Sequence, residues 1–88
     1  MARKLQMALA AQGRRIAINQ YQAYSAKAGR TVTKYVLSEY KQPTGAPRGK
    51  YENFFATWSM PEVVRALAAI YAGEELPSAG PANTYNRR

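Results

Sequence analysis

The spacing of apolar positions switches period repeatedly along the chain, and each switch marks an element. Leu5, Ala8, Leu9 and Gln12 recur at three- and four-residue intervals in an alanine-rich stretch, which predicts a helix over residues 2–12 with Gly13 as its stop. From Arg15 to Tyr24 the period falls to two. Ile16, Ile18 and Tyr24 share one face with Gln20 and Gln22 between them, while Ala17, Tyr21 and Ala23 take the other, as in a strand. Ser25 to Arg30, with Gly29, reads as a turn into the β-branched and aromatic run Thr31 to Tyr40, and the two strands make a hairpin. Lys41 to Lys50 holds Pro43, Gly45, Pro47 and Gly49, the composition of a loop, before Tyr51 to Trp58 forms a third strand.

Ser59-Met60-Pro61-Glu62 has the pattern of a capping box, with proline early in the helix where its missing N–H is harmless. Trp58 and Val63 have the spacing of a hydrophobic staple across that helix start. Val63, Val64, Leu67, Ile70 and Tyr71 mark the apolar side of the helix, which ends at Gly73. The predicted architecture is a single α+β domain over residues 1–73, in the order α-β-β-β-α, with a three-stranded antiparallel meander sheet packed with two helices. Residues 74–88 read as a flexible tail ending in Arg87-Arg88. Both faces of the second strand are partly apolar, so a second subunit is expected to cover what the helices leave open, as a homodimer.

Charge changes this picture most. The net charge is +8, and it lies in the first half: residues 1–50 contain ten Lys and Arg against Glu39 alone. A block of one sign creates a directional field that attracts polyanions. The chain has no cysteine, which fits a reducing cytoplasm, and no apolar run approaching the roughly 20 residues that span a bilayer. It also has no histidine and no aspartate. Thiolates, Ser-His-Asp arrangements and the commonest metal ligand are therefore excluded by composition. A two-carboxylate mechanism would fall to Glu39 and Glu52, whose simpler role is pairing with Lys34, Lys41 or Lys50. No catalytic residue, metal ligand or cofactor site is expected.

The residues that point to a function are Arg14, Arg15, Lys27, Arg30, Lys34, Lys41, Arg48 and Lys50, interleaved with Tyr21, Tyr24, Tyr35, Tyr40 and Tyr51. Lys and Arg neutralise phosphates, and exposed tyrosines stack on unpaired bases. This predicts a small basic accessory protein whose partner is nucleic acid or a nucleoprotein. The alternative is a protein-interaction module or inhibitor that uses its aromatic sheet or the Val64/Leu67/Tyr71 side of the second helix. A meander puts Lys27 and Arg30 at one end of the sheet and the other strand-end cations at the opposite end, with Lys34 between.

Over residues 2–72 the order of elements resembles that of double-stranded RNA-binding domains. Where those domains begin their second helix with lysines, this chain reads Met60-Pro61-Glu62-Val63-Val64-Arg65, so the resemblance implies an arrangement of elements rather than their grip on phosphates. Lys4-Leu5-Gln6-Met7-Ala8-Leu9 and Val32-Thr33-Lys34-Tyr35 also look like segments of small uncharacterised proteins from phages and mobile elements of Gram-positive bacteria. That likeness implies a genomic setting in which accessory proteins bind nucleic acid or disable a host nucleoprotein.

Overall fold

In the computed structural model, which describes residues 1–77, the elements follow one another as α1 (Ala2–Ala11), β1 (Ile16–Ser25), β2 (Arg30–Lys41), β3 (Lys50–Thr57) and α2 (Met60–Ala72). The strands form one antiparallel sheet in the order β1-β2-β3, so the expected α+β, α-β-β-β-α meander is the observed fold. The tail predicted over residues 74–88 lies, from Ser78 onward, outside the described residues.

Both helices end in the same hydrogen-bond closure. The Gly13 amide donates to the Ala10 carbonyl and the Arg14 amide to Leu9; correspondingly, Gly73 donates to Ile70 and Glu74 to Ala69. This closure needs a left-handed residue, which the two glycines supply at φ 84° and 74°. At Gly13 the reversal turns the chain directly from α1 into β1, with Arg14 and Arg15 at the corner. The Gln6 side-chain amide ties the two elements together by donating to the Ile16 carbonyl at 2.8 Å.

The helices pack on one face of the sheet. Leu9 of α1 and Val63, Ala66 and Leu67 of α2 meet Ile16, Leu37 and Phe55 in the core, with Leu5, Ile18, Tyr35, Met60 and Ile70 packed around them. Side chains of this size contribute about 1.5–3 kcal/mol each when fully buried. The buried side of α2 differs in detail from its apolar pattern: Ala66 and Ala69 are inside, whereas Tyr71 is 49% exposed. Small residues let the helix approach the sheet, and a tyrosine ring at its edge cannot fit beneath.

The start of α2 departs from the capping-box expectation. Ser59 has extended cap geometry, but its side chain makes no cap hydrogen bond. Pro61 offers no N–H, and the Glu62 and Val63 amides donate instead to the Ser59 backbone carbonyl. The Ser59 amide donates to the Thr57 hydroxyl at 3.3 Å, and Glu62 turns to Arg65 at 3.1 Å. The staple is not formed either, because Trp58 and Val63 lie on opposite sides of the sheet.

The helices cover only the part of the sheet nearest their own ends. In β1, Ile16 is buried, but Gln20, Tyr21, Gln22 and Tyr24 are exposed; in β2 the buried run is Val36 to Glu39. The outer half of the β1–β2 hairpin therefore projects, giving the molecule extents of 45 × 28 × 20 Å. A bulge between Leu37 and Ser38 sets Phe54 as an extra residue in β3, since Leu37 pairs with Phe55 and Ser38 with Asn53.

Candidate functional site

The face of the sheet opposite the helices gathers the basic and aromatic residues. Pairing and alternation place Arg15, Ala17, Asn19, Tyr21 and Ala23 of the first strand and its lead-in on this face. Arg30, Val32, Lys34, Val36, Ser38 and Tyr40 lie beside them in β2, with Tyr51, Asn53, Ala56 and Trp58 along and just beyond β3. Among the described residues no helix packs on this face, and no carboxylate lies on it. Glu39 and Glu52 are cross-strand partners on the helix side, while Glu62, Glu74 and Glu75 belong to α2 and the segment after it.

Two transverse rows of cations and rings cross the open face. At the end nearest α1, the Arg15 guanidinium lies 5.2 Å from the centre of the Tyr40 ring, and Tyr40 meets Tyr51 edge-on with centroids 5.4 Å apart. The Arg15 carbonyl also accepts from the Tyr40 amide at 2.9 Å, extending the ladder one residue beyond β1. Grooves of about 360 and 490 Å³ flank Arg15, the first lined also by Arg3 and Gln6, the second by Gly13 and Gln42. Nearer the hairpin tip, Tyr21 pairs with Lys34, whose ammonium lies 5.8 Å from the centre of the Trp58 ring. Between the rows lie smaller groups, with the Asn19 amide donating to the Ser38 hydroxyl at 3.2 Å.

The Tyr40 ring is held from both sides of the chain. Its hydroxyl donates to Gln42 Oε1 at 2.7 Å, and the Gln42 amide donates to the Ala46 carbonyl, drawing the β2–β3 loop inward. A Cβ at Gly49 would fall 2.6 Å from the ring's Cζ and hydroxyl and closer still to the Lys41 carbonyl. Glycine is what allows the loop to close over this tyrosine.

The sequence-predicted residues separate into distinct groups. Arg15, Arg30, Lys34 and Tyr21 share the open face, and Lys27 sits on the turn at its end. Arg14 is instead committed to Glu39 on the helix side, with Nε and Nη2 each 2.8 Å from a carboxylate oxygen. Lys41 stands 3.6 Å from the same carboxylate. Lys50 pairs across from Lys41 on the helix side, and Arg48 is exposed in the loop. Tyr35 packs against the core and so is not presented on the open face. Tyr40 and Tyr51, also expected from the sequence, lie on the open face, and Trp58 is the residue that pattern alone left unassigned to the site.

The Glu39 carboxylate is held below its ordinary pKa, chiefly by the Arg14 hydrogen bonds and further by the nearby Arg14 and Lys41 charges, against the opposing effect of burial. The Arg14 guanidinium is correspondingly raised, mainly by the same hydrogen bond. Glu39 is therefore ionised near neutrality, an acceptor rather than a proton donor. Because its folded-state value lies below the unfolded one, about 4.3, the pair's contribution is fully present above that value and is lost as pH falls through the lower folded value. Thermal melts should accordingly show Tm falling below about pH 4, and Glu39→Gln should lower Tm near neutrality while removing part of that acid dependence. A Glu39→Gln variant with unchanged Tm and unchanged acid profile would show that the pair contributes nothing.

Among the described residues, no helix is long and apolar enough to cross a membrane. No protein-family model, curated protein or solved structure matches the chain.

Proposed function

We propose that this protein binds nucleic acid through the open face of its sheet. The observation that carries the reading is the absence of any carboxylate, among the described residues, on a face that presents Arg15, Arg30 and Lys34 together with exposed Tyr21, Tyr51 and Trp58. Arg15, Arg30, Lys34 and Lys27 make no ion pair among the described residues, so their charge is available to phosphates. Arginine and lysine on such a surface displace counterions from the backbone, while aromatic rings contact bases or sugars. Between the two rows Asn19 and the exposed Asn53 offer further hydrogen-bonding groups, while Ser38 is buried beneath them.

The bidentate Arg14–Glu39 pair supports this division of labour. It places one arginine of the Arg14-Arg15 doublet in structure and leaves the other for a ligand. Neutralising Glu39 on the helix side also keeps its charge from opposing a polyanion.

Fluorescence anisotropy with labelled single- and double-stranded oligonucleotides across a salt series tests the proposal. Three to five phosphate contacts would make log K fall with log salt at a slope of roughly −2 to −4.5, depending on strandedness. Absence of binding to DNA and RNA of both forms at low salt would overturn the proposal. A stoichiometric, nuclease-resistant complex with a protein would then favour the interaction-module reading.

A further inference from the structure

Resting on that reading and extending it, we infer that the groove between the hairpin turn and Trp58 receives an unpaired nucleobase, so that the ligand is a single strand. This groove has a volume of about 620 Å³ and is lined by Tyr24, Ala26, Lys27, Ala28, Val32 and Trp58, among others. That size is within the range of sites for small organic ligands. Its walls combine what a nucleotide requires. Trp58, 39% exposed, offers ring surface. The two alanines leave space beside it, and Val32 gives an apolar floor.

Charge complementarity identifies the occupant. Lys27 is part of the lining, Lys34 stands over the Trp58 ring, and Arg30 begins β2 directly after the turn. None of the three is paired with an acid among the described residues, and no carboxylate lines the groove. An apolar side chain from a protein would find the walls suitable but would leave these cations without partners. A nucleotide uses both, with its base against the indole and its phosphates at the ammonium and guanidinium groups. Every base has a π-face, so such a site is tolerant of sequence.

Strandedness follows from geometry. Bases in a duplex are stacked on their neighbours and present only their edges in the grooves, so they cannot enter a ring-walled cleft without being extruded. A single strand offers its base faces directly. The second row of rings, Tyr40 and Tyr51, lies six residues along β2 from Lys34, about 20 Å at a strand's rise per residue. A strand crossing the open face would therefore run from the Trp58 groove towards Arg15.

Trp58 is the only tryptophan in the chain, so its fluorescence reports on the groove without labelling. Titration with a thymidine oligonucleotide should quench it to saturation, whereas a duplex of equal phosphate count should leave it nearly unchanged and bind at least tenfold more weakly. Trp58→Ala should lower single-strand affinity about tenfold or more, as loss of a stacking partner does, with duplex affinity unaffected and Trp58→Phe retaining most of the binding. If Trp58→Ala disturbs the fold by circular dichroism, Ala28→Leu, which fills the groove from the exposed turn, provides the same comparison. Salt-sensitive binding with equal affinity for both forms and no quenching would overturn the inference while leaving the nucleic-acid reading in place. No binding of either form would overturn both.

Discussion

Reversing Arg15, Arg30 and Lys34 together to glutamate should reduce nucleic-acid affinity by on the order of 100-fold at moderate salt and flatten the salt dependence by two to three units of slope. The three residues are drawn from β2 and the lead-in to β1, yet alternation and cross-strand pairing bring them to one face. Each removed contact eliminates a counterion-release event, and each introduced carboxylate repels the backbone at a surface that otherwise has none. The fold should tolerate the change, because the main core lies on the other side of the sheet, the open face buries only the small Val36–Ala56 cluster, and Arg15 and Arg30 are exposed. An isocharge control separates interface from net charge: Lys4→Glu, Lys50→Glu and Arg65→Glu change the total equally at positions off the open face. Anisotropy at several salt concentrations should show a loss several-fold smaller for the control. Equal losses would mean that the field of the whole molecule, and not this face, governs binding.

Replacing Phe55 with alanine should leave much of the chain unfolded at physiological temperature. Phe55 is 1% exposed and stands at the centre of the core, paired across the ladder with the fully buried Leu37. Removing a buried phenylalanine ring costs about 3–5 kcal/mol through lost burial and a residual cavity. Small domains are stable by only about 5–15 kcal/mol in total, with short chains towards the lower end. The neighbours cannot readily collapse into the gap, since Leu9, Leu37 and Leu67 are themselves fully buried and held on three different elements. Chemical denaturation followed by circular dichroism gives the magnitude directly. A loss below about 1 kcal/mol would place the core elsewhere.

Much of the architecture was legible because period-two and helical spacing are strong in this chain. Ile16 and Ile18 alternate with Ala17, and Val32, Lys34 and Val36 with Thr33 and Tyr35. Those positions alone specify which side chains share a face once the strands pair. The glycines at 13 and 73 mark the helix ends, where the observed closures form. The site was less legible for a specific reason. Tyr51 and Trp58 are seven residues apart, which in a regular strand puts them on opposite faces. The extra residue at Phe54 shifts the alternation by one and brings both rings to the open side. A bulge has no reliable signature in a run such as Asn53-Phe54-Phe55, so Trp58 read more naturally as a staple for α2.

The cations show the same limit. Arg14 and Arg15 are adjacent and chemically identical, yet one is bound to Glu39 and the other stacks on Tyr40. Strand alternation separates them, but which side would offer a carboxylate depended on the β1–β2 register, a non-local property. Ser59 and Glu62 illustrate local competition instead: their pattern satisfies the capping-box rule, but the nearby Thr57 and Arg65 provide other partners.

The most direct test of the open face as the interface is to follow backbone amide resonances of the isotopically labelled protein by NMR while adding a short single-stranded oligonucleotide. The largest shifts should fall at Arg15, Tyr21, Lys34, Tyr40, Tyr51 and Trp58, with the outward-facing helix positions Lys4, Arg65 and Ala68 nearly unmoved. Shifts concentrated on α1 and α2, with the sheet residues unchanged at saturation, would contradict the account.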